Sequence, residues 1–98
     1  MSSRGWVLPA DEEKPLRQST LFEFKKEQQC EVDFTVRDLD DFHLIVFYDD
    51  RGIMKDLQEN TRAFKLAEFE VVGDVFLVCE NGSGVVMLTE EQMVNTIK

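Results

Sequence analysis

Phe69-Glu-Val-Val72, Gly73-Asp74 and Val75-Phe-Leu-Val-Cys79 form the stretch on which the fold reading turns. Two β-rich runs flank a two-residue Gly-X loop, as a type II′ hairpin requires. Glu80-Asn81-Gly82-Ser83-Gly84 supplies a second turn containing Asn-Gly, and Val85-Val-Met-Leu88 returns. Residues 64–88 therefore read as a three-stranded meander, with strand beginning near residue 62. Upstream, Phe42-His-Leu-Ile-Val-Phe-Tyr48 is apolar on both faces apart from His43. That is the pattern of a central, most buried strand. Glu31 to Val36 alternates, with Val32, Phe34 and Val36 on one face and Glu31, Asp33 and Thr35 on the other. Leu21 to Phe24 reads as the first strand, and Lys25 to Gln29 as a connection.

Two helices complete the expectation. After Arg51-Gly52, the spacing of Ile53, Met54 and Leu57 predicts a short helix near 53–60, in preference to a longer one running through Phe64 and Ala67. Thr89-Glu-Glu-Gln92 has the form of a capping box, and Met93, Val94 and Ile97 follow as an apolar stripe. This predicts a C-terminal helix near 89–97. The fold expected is α+β: mainly one antiparallel sheet of five or six strands, curled into a small barrel or sandwich. Residues 1–19 are polar and hold both prolines, so they read as an extended N-terminal arm on a single β-rich domain of residues 20–98. Trp6, Val7, Leu8 and Leu16 are the arm's apolar anchors. Trp6 is either a packing peg on the domain or a contact for another chain.

Twenty acidic residues against eleven basic ones leave a net charge of −9 on 98 residues. Such a field repels nucleic-acid phosphates and anionic membranes and attracts basic proteins. The opening Met1-Ser-Ser-Arg-Gly-Trp6 lacks a long apolar segment, and no run approaches the length of a membrane span. The expected location is intracellular: cytoplasm or nucleus, or the host cytoplasm for a viral protein. Cys30 and Cys79 are then free thiols. A bridge between them would need their strands to pair. Asn81-Gly-Ser83 fits a glycosylation sequon but reads as a hairpin turn.

Sequence chemistry points away from catalysis. His43 is the one histidine, and neither serine nor cysteine stands beside it. One of its ring nitrogens is expected to meet a carboxylate such as Asp41. Two distant cysteines and one histidine do not give zinc-ligand spacing. Asp38-Leu-Asp40-Asp41 resembles part of a hard-cation loop, but the glycine and the distal glutamate are missing. Gly82-Ser-Gly84 is too short for a phosphate cradle. No catalytic, cofactor or metal site is expected.

Arg17-Gln18-Ser-Thr-Leu21-Phe22-Glu23-Phe24-Lys25-Lys26 resembles the peptide with which replication and repair proteins dock on a PCNA-type sliding clamp. Gln18, Leu21 and Phe24 match its first three elements, and Lys25 stands where the second aromatic belongs. The resemblance implies a clamp-binding accessory factor. Asp38, Asp40, Asp41, Asp49 and Asp50 form a second candidate contact, an acidic face for a basic protein. A denser reading of the same carboxylates is an acidic DNA mimic that inhibits a nucleic-acid-binding protein. The function expected is a non-enzymatic acidic protein-binding module or accessory subunit, with the acidic face the larger contributor. Its partner is another protein with a basic surface, without direct nucleic-acid or membrane contact.

Overall fold

The computed structural model of the chain describes residues 4–28, 32–38, 43–68, 70–81, 84–86, 89 and 91–92. Its strands are β1 (Arg4–Leu8), β2 (Arg17–Thr20), β3 (Val32–Asp38), β4 (His43–Asp49), β5 (Val75–Asn81) and β6 (Gly84–Val86). The helices are α1 (Leu21–Gln28) and α2 (Thr61–Ala67). Every strand pairing is antiparallel, in the order β2-β1-β5-β4-β3, with β6 attached to β5. The class is therefore α+β with a single antiparallel sheet. Its path is open: β2 and β3 are the two ends, so the described sheet is neither a closed barrel nor a sandwich.

The expected arm is corrected first. Trp6, Val7 and Leu8 are buried and lie opposite Leu77, Phe76 and Val75 of β5, while β2 returns alongside β1. An apolar run this short is a buried strand when a partner strand covers it on each side. Pro9 ends it, because proline cannot donate to a ladder. Gly5 has a packing reason: a Cβ there would collide with the Leu77 carbonyl. Trp6 is thus a packing peg, with 5% of its surface exposed.

Three further expectations change. Leu21–Gln28 is helix rather than strand and connection, capped by Thr20, whose Oγ1 accepts the Glu23 N–H at 3.2 Å. Residues 50–56 form turns, not a helix over 53–60; Ile53 and Met54 are 86% and 85% exposed. Their helical spacing had no core face to cover. The helix starts after Asn60 and takes in Phe64 and Ala67, where strand was expected. Finally, residues 70–74 do not pair with β5. Val72 makes one bridge to Glu59, and the Gly73 N–H bonds to Gln58 O at 2.6 Å with Gly73 at φ +83°. The Gly-Asp pair turns the chain between segments instead of closing a hairpin. The β5–β6 hairpin is present as expected, although its turn residues Gly82 and Ser83 lie outside the described residues.

β5, not residues 42–48, is the most buried strand and the centre of the path. One sheet face carries Trp6, Leu44, Val46, Leu77 and Cys79, covered by Ala63 of α2, Val71 and Leu16. The opposite face carries Val7, Phe76 and Val78, with Phe24 of α1 packed on them and Val32, Ile45 and Phe47 at the margin. Thr89 and Gln92 exchange the two hydrogen bonds of a capping box, at 2.8 and 3.1 Å. The helix expected beyond them lies outside the described residues.

Candidate functional site

An aromatic ladder runs across the second face. Phe24 stacks on Phe76 with centroids 5.8 Å apart, Phe76 meets Phe47 at 6.1 Å, and Phe47 meets Phe34 at 5.7 Å. Cross-strand register explains it: Phe34 pairs with Phe47, and Phe47 with Phe76. The ladder begins in the core and ends in solvent. Phe24 and Phe76 have no exposed surface, Phe47 is half-buried, and Phe34 is 56% exposed. Val36, two residues on, is 50% exposed beside half-buried Ile45. α1 packs mainly on the β1–β2 side of this face, and on the β3–β4 side Phe34 and Val36 keep half or more of their surface exposed. The alternation of Val32, Phe34 and Val36 is as read from sequence, but the face it marks is only partly buried.

The residues singled out as partner contacts fall into three groups. Leu21 and Phe24 belong to the core under α1; Phe24 is wholly enclosed. Gln18 is exposed in β2 opposite Trp6, and neighbouring Arg17 forms an ion pair with Glu27 of α1. The described acidic residues are not held alike. Asp49 is 3% exposed, bound to Lys55 Nζ at 2.6 Å and accepting the Arg51 N–H at 2.8 Å. Its carboxylate closes the turn after β4 and is withheld from any partner. Asp38 and Asp50 are exposed, while Asp40 and Asp41 lie outside the described residues. His43 Nδ1 lies 2.5 Å from Asp38 Oδ1, so Asp38 takes the place expected of Asp41.

Among the described residues, no group of three or more His, Cys, Asp or Glu could hold a metal ion, and no helix is long and apolar enough to cross a membrane. A cleft of about 140 Å³ opens between the 50–53 turn and residues 70–72, with Tyr48, Asp50, Ile53 and Glu70 on its walls. It is small beside ordinary ligand pockets of roughly 300–1,000 Å³. Tyr48 hydroxyl ionisation is made harder by burial, then by the charge and hydrogen bond of Asp33, then by Asp50.

Cys79 is free and buried, and burial pushes its thiol from 9.0 up to about 11. Cys30 lies outside the described residues. The raised value makes a stability prediction. Between 9.0 and about 11 the unfolded chain releases this proton and the folded chain keeps it, so stability falls as pH rises through that window. Tyr48 acts in the same direction above its ordinary 10.0. Thermal melts across this range should show a steeper alkaline decline for the native chain than for Cys79→Val. Parallel curves would refute the assignment.

No protein-family model matches this chain, and no curated protein or solved structure matches it either.

Proposed function

We propose that the chain is a non-enzymatic protein-binding module, an accessory subunit inside the cell, and that it docks its partner on the β3–β4 side of the sheet. The observation that carries this reading is the aromatic ladder ending in exposed Phe34, with Val36 beside it. Large apolar side chains grouped on a flat, rigid floor lose water when a partner covers them, and such patches mark interaction surfaces. The net charge of −9 and exposed Asp33, Asp38 and Asp50 favour a partner whose apolar anchor is ringed by lysine or arginine.

This places the weight on the apolar face rather than on the carboxylates. A DNA mimic needs its carboxylates free in an array, and Asp49 is turned inward. Clamp docking needs the Phe24 ring, which would have to leave Phe76. The test is affinity purification of the whole chain from its native source, comparing wild type with a Phe34→Ser, Val36→Ser double variant. The double variant should lose the co-purifying protein while keeping its circular dichroism spectrum. The native contact should also persist as ionic strength passes about 0.15 M, where exposed charges are screened beyond roughly 8 Å. An unchanged set of co-purifying chains would defeat the proposal.

A further inference from the structure

We infer that β3 is the seam of a symmetric dimer, in which the β3 strands of two copies pair antiparallel about Thr35 and join two sheets into one. The inference deepens the docking reading above, since it assigns a second copy to the edge of the same surface.

Among the described strands, β3 is the longer edge of the sheet, with seven residues against four in β2. Its backbone direction is fixed by one contact. The Phe34 N–H is held by Asp33 Oδ1 at 2.8 Å, a side-chain acceptor, so it points out of the sheet. In a strand, alternate residues present N–H and C=O to the same side. Phe34 and Val36 therefore face the edge, while Thr35 faces β4.

The sequence Val32-Asp33-Phe34-Thr35-Val36-Arg37-Asp38 is nearly self-complementary about its centre. A two-fold axis at Thr35 sets Phe34 opposite the partner's Val36, and Asp33 opposite the partner's Arg37. Each Phe34–Val36 pair can exchange both backbone hydrogen bonds, and their exposed side chains meet on the open face. Each Asp33–Arg37 pair sets opposite charges together on the other face, where cross-strand charge pairs stabilise and like charges oppose. Arg37 already contacts Glu68 at 3.2 Å on this side. Its fork of five donors accommodates a second carboxylate. Slipping the register by two residues keeps an apolar pair on the axis, Phe34 on Phe34 or Val36 on Val36, but takes Asp33 away from the partner's Arg37. Because the axis is perpendicular to the sheet, the two open faces point the same way and form one wider apolar floor.

Asp33 makes this edge conditional. In the single chain its carboxylate occupies the outward N–H of Phe34, as charged residues do on guarded edges. In the dimer it gives up the Tyr48 hydroxyl as well and swings to the partner's Arg37, and the N–H passes to the partner's Val36 carbonyl. Asp33 as a guard and Asp33 as a cross-strand partner make opposite forecasts.

The experiment is sedimentation velocity on the whole chain at about 0.15 M salt, which screens the repulsion between two copies of the same negative charge. The variants are Asp33→Arg, Arg37→Asp and the two together, each checked by circular dichroism. The native chain should show a concentration-dependent dimer. Each single reversal places like charges opposite at two symmetric sites and should weaken association by about tenfold or more. The double variant restores opposite charges across the axis and should recover the dimer. A native chain that stays monomeric overturns the inference, and leaves the docking reading to stand or fall on Phe34 and Val36. A dimer that ignores both single reversals, or that tightens with Asp33→Arg, overturns the register.

Discussion

Asn60→Ala should destabilise the protein by about 3–5 kcal/mol, from one lost helix cap and two orphaned carbonyls. Asn60 has no exposed surface, yet each side-chain atom capable of hydrogen bonding is used. Its Oδ1 accepts the Ala63 N–H at 3.0 Å and caps α2. Its Nδ2 donates to Leu8 O and to Gly73 O, each at 2.9 Å. One side chain thus ties the end of β1, the start of α2 and the turn before β5. The backbone adds to the knot, since the Asn60 N–H bonds to Val71 O at 2.9 Å. Alanine would leave two buried carbonyls and one amide without partners, where water cannot readily replace them. Against a typical total stability of roughly 5–15 kcal/mol, that loss approaches unfolding. Asn60→Ser separates the parts: its hydroxyl can still cap Ala63 but cannot reach both carbonyls, so it should recover about 1 kcal/mol. Urea titrations followed by circular dichroism give both values. A loss under about 1 kcal/mol for the alanine variant would mean these segments are held elsewhere.

Asn60 also shows what the sequence could and could not convey. Asn60-Thr61 is an adequate helix start, but the apolar spacing of Ile53, Met54 and Leu57 drew the helix about two turns too early. Periodicity registers which residues could share a face, not whether another element is present to cover it. The same limit explains the second sheet face. The alternation in Val32, Phe34 and Val36 is legible, and so is the antiparallel, α+β character. That the face would be only half covered depends on where α1 lands, which is set by contacts between distant segments. β1 was obscured for a related reason. Gly5-Trp6-Val7-Leu8 is too short to show a period and sits among charges and prolines, so only its pairing with β5 reveals it. The candidate contacts fared likewise. Spacing alone grouped Asp49 with Asp38 and Asp50, but the turn after β4 folds Asp49 back onto Lys55.

The ladder of rings supplies the second large effect, because its members differ in exposure but not in chemistry. Phe24→Ala should cost about 3–5 kcal/mol, the usual range for removing a buried ring and leaving a cavity. Leu77→Ala, at the 1% exposed centre of the other face, should cost about 2–5 kcal/mol. Phe47→Ala should cost less than Phe24→Ala, since its ring keeps one side in solvent. Phe34→Ala should stay within about 0.5 kcal/mol of native, as surface changes do. Thermal and urea unfolding of the four variants checks the gradient. Binding should run in the opposite order: Phe34→Ala should disturb the partner contact while sparing the fold. A stable Phe24→Ala chain that had lost its partner would invert both rankings and return the docking role to the Gln18–Phe24 segment. The two properties separate along one row of side chains because the core ends partway across the sheet. Rings before that boundary hold the fold together, and rings beyond it are left for another surface.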